Sequence, residues 1–370
     1  MVKYLIIGTG LSGSVIAERI ANVLKEKVLI IEKRNHIGGN CYDEKDKNNI
    51  LVHKYGPHIF HTDYKEVWYY LSQFTDWFYY QHRVLGYIDG KYVPIPFNLD
   101  TLYQLLPKNL AKDLEKKLIN KYGYNKKISI LEFKKLKDKD LSFLAKMIYD
   151  KVFLNYTKKQ WGLKPEEIES LVTARVPVLI SHDDRYFQDR YQAIPKEGYI
   201  KLFEKMLQNK NIEIQLGTNF KDIKDKLKYK KIFYTGPIDL FFDYKFGKLD
   251  YRSVNIDFQT YHMKSYQAVA VINYPNNYDY TRITEFKKLS LIESNYTTIG
   301  IEYPGNNGLM AWPVLNEKNK TIFKKYWREA EKIKKENIFF IGRLAEYKYY
   351  DMDDAIAASL KLFDSIRDEL

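Results

Sequence analysis

The sequence predicts an α/β protein: a Rossmann-like domain interrupted by a helical insertion and an antiparallel β-sheet domain. Three observations predict it. The apolar run Tyr4-Leu5-Ile6-Ile7 leads directly into Gly8-Thr9-Gly10-Leu11-Ser12-Gly13, the pattern of a tight strand-to-helix turn. A second apolar run, Val28-Leu29-Ile30-Ile31, ends on an acid, Glu32. From about 250 to 315 the alternation has period two: Val254, Ile256 and Phe258 share one face, with Asn255 and Asp257 on the other.

The first 40 residues read as strand, helix, strand, with Val15, Ile16, Ile20, Val23 and Leu24 as the apolar stripe of the helix. Gly8 permits the tight bend, Gly10 lets a pyrophosphate approach the backbone, and Gly13 lets the helix lie against the strand. Unpaired N–H groups and the dipole at the helix start favour phosphate, and Glu32 stands where a ribose hydroxyl is taken. A glycine turn in an ordinary α/β domain does not require that acid. The segment therefore points to an ADP-bearing cofactor.

The middle of the chain reads differently. Val67, Trp68, Leu71 and Phe74 mark one helical stripe, and Leu110, Leu114, Leu118 and Ile119 mark another, stopped at Gly123. A further helix is expected over 140–153, and Pro94, Pro96 and Pro107 break the region into pieces. A helix from Tyr199 to Leu207 and strands at Ile212-Glu213-Ile214 and Lys231–Tyr234 return to the α/β pattern. The last part gives a polar helix (322–336), a strand at Ile338–Ile341, Gly342-Arg343, and a closing helix that buries Ile356, Leu360 and Phe363. The expected division is a discontinuous nucleotide-binding domain (1–65, 195–240, 320–370), a helical domain (66–155) and an antiparallel substrate domain (156–194, 241–319).

Composition narrows the function classes. At 370 residues the chain is long enough for two or three cores, and its one cysteine, Cys41, excludes an internal disulfide framework or a cysteine metal cluster. No apolar run approaches a membrane span, and the first residues lead straight into a strand, so a cytoplasmic protein is expected. A net charge of +13 invites a nucleic-acid reading. The lysines are spread over polar helix faces with acids close by, and no recognition-helix or zinc-finger pattern accompanies them. A basic surface would still draw a doubly charged nucleotide toward a cleft. The tyrosine count of 33 supplies hydroxyls for phosphate and ring faces for sugars and bases.

Two features favour flavin over nicotinamide. The loop Glu32-Lys33-Arg34-Asn35-His36-Ile37-Gly38-Gly39-Asn40 joins an acid, bases and a glycine pair. The stretch Phe340-Ile341-Gly342-Arg343, followed by a helix, supplies a second strand-turn-helix whose N-terminal dipole suits the negative edge of a reduced flavin.

Several blocks then belong together: the N-terminal GTGLSG, Ile31–Asn40, His53-Lys54-Tyr55-Gly56-Pro57-His58-Ile59-Phe60-His61-Thr62, Tyr156-Thr157-Lys158-Lys159-Gln160-Trp161-Gly162 and Arg175-Val176-Pro177-Val178. Tyr186–Gln192, Tyr234–Asp239, Tyr280-Thr281-Arg282 and Gly342–Met352 come next, in that order. Together they make the chain resemble the bacterial UDP-galactopyranose mutases over its whole length. The resemblance implies an isomerase without net redox, in which reduced FAD uses N5 as a nucleophile on the anomeric carbon. UDP leaves, the ring opens, and the sugar recloses as a furanose before UDP returns.

Carried onto this sequence, the resemblance implies that Arg175 and Arg282 grip the diphosphate and stabilise it as a leaving group. It puts Tyr186 and Tyr349 at the diphosphate, Asp351 beside substrate and flavin, and Tyr156, Trp161 and Asn273 at the uridine. The cofactor contacts it implies are Gly8, Gly10, Ser12, Gly13, Glu32, Lys33, Gly39, Asn40, His58, His61, Arg343, Tyr349, Asp351 and Met352. No metal is expected, and a homodimer is implied. The chain departs from the pattern at Pro57, where alanine is usual, and at Leu179, where a second arginine is common. Ala311-Trp312-Pro313-Val314 stands where paired tyrosines are common, so Trp312 takes the place of a phosphate-facing hydroxyl. Such changes leave open whether UDP-N-acetylgalactosamine is accepted as well.

Read without the resemblance, each residue has a simpler role. Arg175 would pair with a surface acid, Arg282 would make a salt bridge on a sheet face, and Tyr349 and Asp351 would cap the last helix. Two rival functions stay open here: a flavin oxidoreductase of the amine-oxidase-like class, and a non-catalytic nucleotide-sugar binder.

Overall fold

The computed structural model describes residues 2–224, 229–305, 308 and 310–369. Met1 and Leu370, the outer ends of the expected division, lie outside them, as do 225–228 of the expected nucleotide-binding segment and 306, 307 and 309 of the expected sheet segment. A five-stranded parallel sheet forms one layer, in the order Ile212–Gln215, Val28–Ile31, Val2–Ile7, Tyr229–Tyr234, Ile338–Phe340. The inner strand Val28–Ile31 is apolar and buried on both faces because both are covered, whereas the edge strand Ile212–Gln215 alternates with polar residues. Tyr4 and Ile6 pack with Val15, Ile16 and Ile20 of the first helix and with Ile356 and Phe363 of the closing helix Met352–Ile366. Leu5, Ile232 and Phe340 point the other way, toward Tyr326 of the helix Glu317–Ile333.

The first helix departs from the stripe read in the sequence. Leu11–Arg19 is α-helical, but Ile20–Leu24 forms a wider π turn that ends on Lys25 in a left-handed conformation. The extra residue in that turn rotates the remaining side chains about the axis, so Val23 faces out at 43% exposure while Ile20 stays buried.

The second layer is a seven-stranded sheet in the order Met310–Pro313, Tyr251–Tyr261, Thr297–Gly305, Arg282–Glu285, Val271–Asn273, Val84–Ile88, Lys91–Ile95. The 66–155 stretch is therefore not wholly helical. Val84–Ile88 pairs in parallel with Val271–Asn273, and Lys91–Ile95 closes the sheet edge. Alternating burial along Val84–Ile88 is the strand signal that helical stripes on either side obscure. Trp77–Tyr79 joins a smaller sheet with Phe60–Thr62 and Tyr191–Pro195. The helices Leu99–Leu105, Lys108–Tyr122 and Lys139–Ile148 lie over one face of the large sheet, where Val84, Ile88, Val271 and Phe286 share a core with Leu102, Leu114 and Leu144. Among the described residues no helix is long and apolar enough to cross a membrane.

Candidate functional site: two cavities that share a wall

The first cavity, of about 230 Å3, opens at the carboxyl ends of the parallel strands. Ile7, Gly8, Ile31, Glu32, Tyr234, Thr235 and Gly342 line it, which is where an open α/β sheet receives a ligand. The glycine turn is closed tightly. A Cβ on Gly8, whose φ is +101°, would stand 2.3 Å from the Thr235 hydroxyl oxygen, and one on Gly39 would stand 2.8 Å from the Gly10 Cα. Only bare backbone fits there. Glu32 is nearly buried; it accepts from the Thr9 amide at 3.0 Å, the Thr9 hydroxyl at 2.9 Å and the Arg34 amide at 3.0 Å. Those bonds fix its carboxylate at the cavity wall. Ser12, Lys33 and Asn40 line the same space, and burial pulls the Lys33 ammonium down from its ordinary pKa. The Arg34 Nε is buried with no hydrogen-bond partner, although its Nη2 donates to Asn40 at 2.7 Å.

Gly13 lines neither cavity. A Cβ there would lie 2.0 Å from the Gly8 carbonyl oxygen, so the bare residue lets the helix close on the turn.

The second cavity, of about 260 Å3, is walled by strands of the seven-stranded sheet, the helix Asn155–Trp161 and the segments 55–61 and 343–352. It shares Asn40, His58, Ala311, Arg343, Asp351 and Met352 with the first. Tyr156, Trp161, Arg175, Tyr186, Asn273, Arg282, Trp312, Tyr349 and Asp351 all line it. His61 and Tyr349 line this cavity and not the first, so the structure puts them on the far side of the shared wall from the glycine turn.

The simpler pairings are made by side chains that also line the cavity. Arg282 faces Glu302 across paired strands, and its Nε donates to the Glu302 carboxylate at 2.8 Å. Burial opposes the charge on Arg282, but Glu302, foremost, holds its pKa above the ordinary value. Burial in turn pushes the Glu302 carboxyl up against the pull of Arg282. Arg175 pairs with Asp351 and stacks over the Tyr349 ring at 4.5 Å. Asp351 also begins the closing helix, in a reciprocal capping box with Asp354. His61 stacks on Phe187 at 3.6 Å and lies 3.2 Å from Asp189 and 4.0 Å from Asp351.

His58 is neutral. Burial brings its pKa down to about 4, with Arg343 and Arg282 adding to the effect. Its Nδ1 lies 2.8 Å from the Gly56 carbonyl oxygen, which only accepts, so Nδ1 carries the proton and Nε2 is left as an acceptor. Burial raises the Tyr156 and Tyr186 hydroxyls above their ordinary pKa, so both stay protonated and available as donors.

Several lining residues were not singled out by the sequence. Glu302, His82, Gln160 and Phe187 all face the second cavity, and Oε1 of Gln160, Oδ1 of Asn273 and Oε1 of Glu302 are buried without a protein partner. Unsatisfied buried acceptors at a cavity wall are what a polar ligand resolves. Cross-strand register brings Glu302 to Arg282, and nothing in the spacing of 20 residues announces it. Leu179, noted as a departure, is buried at 3% in the strand Val178–Ile180 and lines neither cavity. Trp312 packs edge to face with Trp161 at 6.4 Å.

The comparisons agree with this geometry. A family model described as UDP-galactopyranose mutase matches residues 151–349, and one described as an NAD(P)-binding Rossmann-like domain matches residues 6–74. The chain is 38% identical to a probable UDP-galactopyranose mutase of Klebsiella pneumoniae, covering 97% of this chain and 93% of that one. It is 36% identical to a dTDP-fucopyranose mutase of Escherichia coli, covering 98% and 97%. Identity to a UDP-galactopyranose mutase of Mycoplasma genitalium is 37%, covering 96% and 93%. A solved structure of reduced UDP-galactopyranose mutase superposes with a TM-score of 0.77 over 100% of this chain and 94% of that one, at 14% identity. A solved putative protoporphyrinogen oxidase superposes less closely, with a TM-score of 0.64 at 11% identity, covering 100% and 99%.

Proposed function

The chain belongs to the UDP-galactopyranose mutase family, and we propose that it interconverts UDP-galactopyranose and UDP-galactofuranose with reduced FAD as its cofactor. One observation carries the reading: two arginines, Arg175 and Arg282, line a cavity that shares a wall with the glycine-rich dinucleotide cavity. An oxidoreductase of the same fold has no need of two cations for a diphosphate beside its flavin.

The residues of the first cavity fit FAD. Glu32 would take the adenosine ribose, the bare glycine turn would let the pyrophosphate approach, and Arg343 stands at the wall where the isoalloxazine would meet the second cavity. Arg34, with its unpartnered Nε, has a donor to spare for the cofactor. Reduced FAD would supply a nucleophilic nitrogen, N5, for the anomeric carbon.

The chain's own groups do the rest. Arg282 spends Nε on Glu302 and keeps its terminal nitrogens for the diphosphate. Arg175 spends one nitrogen on Asp351, and the Tyr349 ring beneath holds the guanidinium plane toward the cavity. Two preorganised cations stabilise the charge that develops on UDP as it leaves, and keep UDP in place for its return. Tyr156 and Tyr186, whose pKa burial raises further above its ordinary value, would donate to the same oxygens. His58 Nε2 accepts at the shared wall, where a sugar hydroxyl would stand.

The relative acting on dTDP-fucopyranose makes that nucleotide sugar the second reading. The test is one assay with separate arms. Dithionite-reduced protein is incubated with UDP-galactofuranose, its N-acetyl analogue or dTDP-fucopyranose, and products are resolved by chromatography. Pyranose from the first arm supports the proposal, conversion only in the third selects the second reading, and flavin oxidation without a sugar isomer sinks both. The reading includes a cytoplasmic homodimer, which sedimentation of the holoprotein as a monomer would overturn.

A further inference from the structure

The Tyr156 helix and the Arg282 hairpin are separate pieces of chain that must hold one ligand between them. Tyr156, Gln160 and Trp161 come from the helix Asn155–Trp161; Asn273 and Arg282 come from the paired strands Val271–Asn273 and Arg282–Glu285. The loop between those strands continues the ladder, with the Tyr274 amide donating to the Thr281 carbonyl at 2.8 Å. Lys159 lies between Tyr156 and Trp161 in sequence but does not line the cavity. Its ammonium crosses to the hairpin and donates to three backbone carbonyls: that of Tyr274, that of Tyr278 at 3.1 Å and that of Tyr280 at 2.9 Å.

Three N–H donors meeting three carbonyl oxygens is full satisfaction of a lysine, and a planar guanidinium does not match that arrangement. Burial opposes the charge, and the nearby Asp279 carboxylate and the three carbonyl oxygens offset that cost. A second bond ties the same two pieces: Asn155 donates to Asn276 at 2.8 Å, and Asn276 to the Lys151 carbonyl at 2.8 Å. From the other side, Arg252 of the strand Tyr251–Tyr261 donates to the carbonyls of Lys159 and Gln160, both at 2.8 Å, and so holds the end of the helix.

From this geometry we infer that Lys159 is a positioning residue, a clasp that fixes Tyr156 and Trp161 relative to Asn273 and Arg282 and so sets the affinity for the nucleotide diphosphate. The inference rests on the nucleotide-sugar reading above for its ligand, but not for the clasp itself. Sites built from two elements lose affinity when their relative placement slips by fractions of an ångström.

Three variants test it: Lys159→Met, Lys159→Arg and Lys159→Cys, the last before and after alkylation with 2-bromoethylamine, which rebuilds a lysine-like ammonium. The one native thiol, Cys41, is buried and its pKa is pushed up to about 12 by that burial, so it stays unreactive. The first readout needs no ligand. Hydrogen exchange at the Tyr274 and Thr281 amides should quicken in Lys159→Met and in untreated Lys159→Cys, and recover on aminoethylation. The second is UDP affinity and the split between KM and kcat in the flavin-loaded enzyme. KM should rise about 10- to 100-fold with kcat changed less, and aminoethylation should restore it while Lys159→Arg does not.

Unchanged exchange overturns the clasp, whatever the ligand. Faster exchange with unchanged UDP affinity overturns the positioning role, as does a loss that aminoethylation fails to repair. Absence of UDP binding in the native protein sinks the proposed function instead, and the exchange readout still decides the clasp.

Discussion

Arg282 is anchored from one side, with Glu302 on its Nε and its terminal nitrogens free of other hydrogen bonds among the described residues. Arg282→Ala should therefore cost turnover heavily, on the order of 100- to 1,000-fold in kcat, as the loss of one preorganised donor does elsewhere. The flavin absorbance of the purified variant should be unchanged, because Arg282 does not line the first cavity. Near-native turnover would remove the arginine from the mechanism. Glu302→Gln keeps an acceptor for Nε and loses the charge, so it should be milder, and a steady-state comparison of the two variants orders them. The histidines make a separate prediction. Burial lowers the pKa of His53 and His82 to about 3 and of His58 to about 4, so all three are neutral in the fold and protonate more readily in the unfolded chain. Stability is then lost as pH falls below about 6.5, at about 1.4 kcal/mol per pH unit for each group. Asp43 and Asp353, raised to about 6 by burial, bind protons in the fold first and oppose the loss below that pH. Urea midpoints should fall between pH 6.5 and 5, by less than the three histidines alone would give. A midpoint that rises over that range contradicts the neutral histidines.

Elements set how much of this could be read in advance. The glycine turn was legible because each glycine answers a steric demand. Gly8→Ala would drive a Cβ to 2.3 Å from the Thr235 hydroxyl at a φ of +101°, so it should purify with little or no flavin, by absorbance, where Thr9→Ser stays loaded. A yellow, stoichiometrically loaded Gly8→Ala would show that the turn has room the structure denies. The closing helix was legible too, since Asp351 and Asp354 carry a capping signal in their spacing. Strands in the 66–155 stretch were not. Val84–Ile88 and Lys91–Ile95 are short, sit between strong helical stripes, and owe their place to Val271–Asn273, nearly 190 residues on. The π turn at Ile20–Leu24 likewise defeats a 3.6-residue period, which is why that period misplaces Val23. At the site the same division holds. Arg175, Arg282 and the tyrosines were found through motif order, while Glu302 and the Lys159 clasp depend on register and on a hairpin loop that no local pattern encodes.

At the scale of the whole molecule, the site is walled by the seven-stranded sheet and by segments drawn from far apart in the sequence, and the chain carries a net charge of +13. That charge is spread over exposed lysines, which argues against a groove for nucleic acid. Under the proposed function it should act at a distance on an incoming nucleoside diphosphate. In the proposed function Arg175 and Arg282 meet the same ligand at contact, so the two contributions should separate by range. Raising ionic strength from about 0.1 M to about 1 M shortens the Debye length from about 10 Å to about 3 Å, which screens the far lysines and spares the partly buried arginines. The association rate of UDP, followed by stopped flow through the flavin absorbance, should fall severalfold while its dissociation rate changes less. Uridine, with the same base and no charge, should show no comparable slope. Equal salt dependence for UDP and uridine would mean that the basic surface does not steer the ligand, leaving the diphosphate to be captured by the site's own arginines alone.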